Sequence, residues 1–139
     1  MAAIWKNEFN LESLNNLNGE TLGSNIGLEF TEFGDDYLCA RIPVDGRTKQ
    51  PAGILHGGAS CVLAETLGSV ASALCIDISK QKCVGLEINA SHLKPAFSGY
   101  VTGTCKPVRI GKTMHVWQID IRNDSGQLTC VSRLTVAII

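Results

Sequence analysis

The sequence predicts an α+β domain in which one long central helix is wrapped by a curved antiparallel sheet. Three observations carry that reading. From residue 57 to about residue 76 nothing breaks a helix except Gly68, and the stretch is apolar nearly all round. Two strand-like runs precede it and four follow it. A helix apolar on most sides needs a sheet curved around it, and such a sheet leaves edges that invite pairing between subunits.

The elements follow in order. Residues 11–17 read as a short helix capped by Asn10. Residues 26–33 and 37–44 read as strands joined through Gly34, Asp35 and Asp36. Residues 45–54 are rich in Gly, Pro and polar side chains and read as a loop. In the long helix Leu63, Leu67, Val70, Leu74 and Ile78 recur at helical spacing. The helix has no Lys or Arg, and Glu65 is its single carboxylate before Asp77. The later strands are predicted at 83–93, 100–110, 113–122 and 128–138. In the first of these Val84, Leu86, Ile88 and Ala90 alternate with Cys83, Gly85, Glu87 and Asn89, and His92 continues the apolar phase. His115 lies in phase with Trp117, Ile119 and Ile121. No repeat or linker interrupts the chain, so residues 1–139 are expected to form one domain.

A chain of 139 residues holds a core without staples. A net charge of −1, with Lys and Arg scattered, excludes the basic field that nucleic acid requires. No apolar stretch reads as long enough to span a bilayer, and the N-terminus lacks a signal-peptide layout. A cytoplasmic location without a membrane partner is the expectation. The six cysteines form no C-x-x-C pair and sit among small or apolar neighbours, so they read as reduced core residues.

The chemistry candidates each have two readings. Glu65 stands in an apolar helix, and its neighbours at three and four positions, Cys61, Gly68 and Ser69, are small. It is a catalytic carboxylate facing a cavity, or a glutamate that pairs with a neighbouring subunit or sits on a narrow polar stripe. His56, Gly57 and Gly58 lead into the helix. A helix N-terminus with free N–H groups suits an oxyanion hole, and the same residues also suit a plain helix start. Gln50 offers a donor to a carbonyl, or is an exposed loop residue. Ser69, one turn after Glu65, steadies the carboxylate or merely packs. His92 and His115 read as hydrogen-bonded structural histidines, and Asp45 and Glu87 as surface charges. No histidine pair or carboxylate cluster has metal-ligand spacing, and no G-x-S-x-G elbow is present.

The segment VDGRTKQPAGILHGGASCVLAETLGSVAS, followed by VGLEINASHLKP and VWQIDI, closely resembles the hotdog-fold thioesterases of the phenylacetate-pathway and 4-hydroxybenzoyl-CoA type. Within them it looks most like those serving menaquinone synthesis and enterobactin proofreading. The resemblance covers almost the whole chain. It implies that Glu65 is nucleophile or general base, and that the Gly57 N–H polarises the thioester carbonyl. It implies that Gln50 and His56 line the acyl and carbonyl site, with Ser69 as helper. Gly85, the run His92, Leu93, Lys94 and Pro95, and the turn Arg109, Ile110, Gly111, Lys112, Thr113 and Met114 would hold coenzyme A. Lys94, Arg109 and Lys112 would meet its phosphates. Coenzyme A would be part of the substrate, with no separate cofactor. A homotetramer built as a dimer of dimers is implied, each site drawing on both chains of a dimer, and a short acyl pocket near Gln50, Glu65 and Ser69 with width left by Gly68. One departure is an extra residue between positions 77 and 82.

Aromatic acyl-CoA thioesters, 1,4-dihydroxy-2-naphthoyl-CoA among them, are therefore the expected substrates. Alternatives are release of misacylated aryl groups from an acyl or aryl carrier protein, and non-catalytic acyl-CoA binding. A DNA-binding sensor has no room on this chain, and a dehydratase needs a different histidine motif.

Overall fold

A computed structural model describes residues 2–139. The order of elements is α1 (Leu11–Asn16), α2 (Leu22–Asn25), β1 (Glu29–Phe33), β2 (Leu38–Pro43), α3 (Gly57–Leu74), β3 (Cys83–His92), β4 (Tyr100–Ile110), β5 (Met114–Asn123) and β6 (Leu128–Ile138). The strands form one antiparallel sheet in the order β1-β2-β4-β5-β6-β3. Strands β2, β3, β4, β5 and β6 all pack against α3. This is the α+β arrangement expected from the sequence. The short α2, capped by Thr21, precedes the strand predicted from residue 26, and that strand begins only at Glu29.

The buried face of α3 carries Ser60, Leu63, Ala64, Leu67, Gly68, Ala71 and Ser72, a stripe at spacings of three and four. Leu63 and Leu67 are wholly buried, each stabilising the fold by about 1.5–3 kcal/mol. Gly68 does not widen a pocket as expected: a Cβ there would come within 2.5 Å of Leu134 Cδ2, so the glycine lets helix and sheet close up. Ser72 accepts from Trp117 Nε1 at 2.7 Å and joins His115 Nδ1 at 2.9 Å, which ties the helix to β5. Val70 and Leu74 are only half-buried, and Ile78 lies beyond the helix and is exposed. By length and composition α3 is apolar enough to cross a bilayer, contrary to the sequence reading, but here it is the core helix of the sheet.

Two differences shape the site. The opposite side of α3 is open, with Glu65 exposed and Cys61 and Ser69 half-buried, so the helix is not buried on most sides within one chain. Its apolar character there comes from small residues. In β3 a bulge falls between Gly85 and Glu87. The extra residue, Leu86, reverses the alternation: Gly85 stands opposite the buried Val136, and Ile88 opposite the buried Leu134. Val84 therefore does not share a face with Ile88. Beyond α3, the turn after Asp77 is closed by the Asp77 carboxylate, which accepts from Ser79 N and Oγ.

Candidate active site

The start of α3 is built by two imidazoles folded onto two glycines. His56 Nδ1 accepts the Gly58 N–H at 2.7 Å, so His56 caps the helix and its Nε2 is the position left to carry a proton. A Cβ at Gly58 would lie 2.9 Å from that ring. A Cβ at Gly57 would lie 2.8 Å from His92 Nε2, which places the end of β3 over the first turn. No described residue accepts the Gly57 N–H, so it points free at the positive end of the helix dipole.

Beside this turn lies a cavity of about 430 Å³, walled by Gln50, Gly57, Ser60, His92, Leu93 and Lys94 among others. Gln50 Oε1 accepts from the Ala52 N–H at 2.6 Å, which leaves the Gln50 amino group to donate. Gln50, Gly57, His92, Leu93, Lys94 and Pro95 are thus brought together around one cavity. His56 faces a smaller cavity of about 210 Å³ with Arg47, Lys49 and Val62. Ser60, Ile54 and Thr129 line the larger cavity without having been singled out in the sequence. Their only signal was position within the helix-start motif or opposite β3.

Glu65 stands two turns along α3, on the open face. Its carboxylate lies over Gly85, where a Cβ would be 2.6 Å from Oε2. No described residue pairs with or donates to it. Exposure removes the burial cost that first singled it out. Ser69 lies on the same face, and its carbonyl accepts weakly from the Cys83 thiol at 3.7 Å. Burial, and then the Glu65 charge, push the Cys61 thiol up, so this neighbour stays protonated near neutral pH and is a poor nucleophile.

Within one chain the parts are split. Glu65 follows Gly57 by eight positions, about 12 Å along the helix, too far for both to reach one carbonyl. The expected coenzyme A contacts divide likewise. His92, Leu93, Lys94 and Pro95 are at one end of β3, whereas Met114 pairs with Ala137 and Cys83 with Ile138 at the other. The turn bearing Arg109, Ile110, Gly111, Lys112 and Thr113 is therefore roughly 17–26 Å from His92 along the strand direction. β3 is the edge strand: β6 pairs with one side of it and no described strand pairs with the other, and that edge adjoins the open face of α3.

Residues 52–130 match the family described as the thioesterase superfamily. The chain is 52% identical over 136 residues to a 1,4-dihydroxy-2-naphthoyl-CoA hydrolase of Escherichia coli K12, covering 98% of this chain and 99% of that one. It is 47% identical to the proofreading thioesterase EntH of Cronobacter turicensis, covering 97% and 98%. A crystal structure of a thioesterase from Haemophilus influenzae superposes with a TM-score of 0.95 at 49% identity, covering 98% of this chain and 94% of that one.

Proposed function

The chain belongs to the thioesterase superfamily and is a thioester hydrolase with the hotdog fold, and we propose that it hydrolyses aromatic acyl-CoA thioesters, 1,4-dihydroxy-2-naphthoyl-CoA first among them. The observation that carries the mechanism is the split site: an unpaired carboxylate and a free helix-start N–H that one chain keeps apart. In this reading two copies pair antiparallel through the β3 edge about a twofold axis. That pairing sets the His92 end of one strand beside the Gly85 end of the other. It brings Gly57 of one subunit to Glu65 of the partner subunit, and Lys94 of one toward Arg109 and Lys112 of the partner subunit. Both halves of the coenzyme A contact then serve one ligand. Two such dimers form the tetramer, in the cytoplasm.

The thioester carbonyl oxygen accepts from the Gly57 N–H, aided by the Gln50 amino group. In one route a Glu65 oxygen bonds to the carbonyl carbon and the C=O electron pair moves onto oxygen. The C–S bond then breaks, coenzyme A leaves as a thiolate and takes a proton from solvent. Water cleaves the acyl–Glu65 anhydride to the free acid and restores the carboxylate. In the other route Glu65 takes a proton from water as that water's oxygen bonds to the same carbon; the adduct then collapses to the acid, the C–S bond breaks, and Glu65 gives the proton to the leaving coenzyme A thiolate. His56 and Ser69 orient the reacting groups, and no cofactor is consumed.

A side-by-side panel tests the substrate. Hydroxynaphthoyl- and hydroxybenzoyl-CoA should exceed acetyl- and palmitoyl-CoA in kcat/KM by more than about tenfold, or about 1.4 kcal/mol of transition-state discrimination. Palmitoyl-CoA as the best substrate would overturn the assignment. The likeness to EntH favours a second reading, release of misacylated aryl groups from a carrier protein. Faster turnover of an aryl group on a carrier than on coenzyme A would select it.

A further inference from the structure

We infer that Ser60 supplies a second hydrogen bond to the thioester carbonyl oxygen, beside the Gly57 N–H; this rests on the thioesterase reading above. Six polar residues are buried among the described residues: Thr48, Ser60, Ser72, His115, Thr129 and Ser132. Five have a partner within the protein. Thr48 Oγ1 donates to Pro43 O, Thr129 Oγ1 to Ile121 O and Ser132 Oγ to Asn89 O, while Ser72 and His115 bond each other. Ser60 is the exception. It is 3% exposed, yet no described residue bonds its hydroxyl. No fully enclosed side-chain oxygen among the described residues lacks a partner, so this one opens into the cavity that Ser60 lines.

Ser60 follows Gly57 by three positions. The two residues share one side of α3, about 4.5 Å apart along the axis, and the Ser60 side chain tilts toward the helix start. Both residues line the same cavity. Alanine would suit this helix position better, since it brings no unpaired polar atom. A hydroxyl kept there without a protein partner is matched by an oxygen that gains negative charge during reaction, where a second donor is worth most.

The test uses the full chain and thiol release from benzoyl-CoA. In Ser60→Ala, kcat falls about 10²-fold, the low end for loss of one oxyanion donor, with KM little changed. Its melting temperature holds or rises, because an unbonded buried hydroxyl has gone. Ser60→Thr keeps the hydroxyl and most of the activity. In a Glu65→Gln background, adding Ser60→Ala moves the carbonyl stretch of bound benzoyl-CoA to higher frequency. An unchanged kcat in Ser60→Ala overturns the inference. So does a loss of kcat that tracks a fall in melting temperature and is shared by Ser60→Thr. Full activity in Glu65→Gln would instead overturn the reading of the site as a whole, while the Ser60→Ala kinetics still decide the role of Ser60.

Discussion

Replacing Gly85 with alanine should disable the enzyme without unfolding it. Gly85 lies in β3 with no positive φ, so the backbone accepts an alanine there, and removing a glycine from a strand interior favours the fold. The new Cβ would stand 2.6 Å from Glu65 Oε2, with Leu134 Cδ1 at a comfortable 3.9 Å. Ordinary contact begins near 3.4 Å, so the carboxylate must give way by about 0.8 Å. It is the far end of a flexible side chain with no protein partner, so it moves at little cost to stability. Displacement of about 1 Å at a reacting group costs up to about 10²-fold in rate. We therefore expect Gly85→Ala to lose about 10- to 10²-fold in kcat, with a melting temperature equal to or above that of the parent. Thiol-release kinetics and differential scanning fluorimetry on one preparation measure both. Full turnover in a stably folded Gly85→Ala protein would refute the idea that Glu65 acts from its place over Gly85.

Shared sites make a separate prediction. His56→Ala and Glu65→Gln subunits, each inactive alone, should regain activity when unfolded and refolded together, because each mixed dimer carries one intact site; proven heterodimers with no recovery would show that each site comes from one chain. His115 gives a pH prediction. Its burial, and next the Lys6 charge, lower its pKa from the usual 6.5, so the fold favours the neutral ring. The unfolded chain then binds the extra proton first, and stability is present above pH 6.5 and is lost as pH falls below it. Melting temperature should drop between pH 6.5 and 5, and His115→Gln should flatten that slope; an equal slope in both proteins would contradict it.

Much of the fold was legible because its signals are local. The strands predicted at 100–110 and 128–138 match β4 and β6 to the residue, and the helix starts where the two glycines follow His56. The helix Leu22–Asn25 carries no apolar period, so nothing in the sequence marks it ahead of the strand predicted from residue 26. The phase error in β3 came from treating alternation as unbroken, whereas the bulge at Leu86 turns Gly85 beneath Glu65 and leaves Ile88 packed against the core. Burial of α3 was overread because alanine, glycine and serine look alike on a packed face and on one left open for a partner. Ser60 passed as one more small residue for the same reason. The strand order, which sends 92–95 and 109–114 to opposite ends of the sheet, depends on long-range pairing that no local pattern encodes.

The central claim is that the Glu65 carboxylate drives thioester hydrolysis. Glu65→Gln keeps the shape and removes both the nucleophilic and the basic character of the group. On benzoyl-CoA or hydroxynaphthoyl-CoA, the folded variant should lose at least about 10²-fold in kcat, with a much smaller change in KM. Turnover within a few-fold of the parent, in a variant of unchanged melting temperature and assembly, would contradict it.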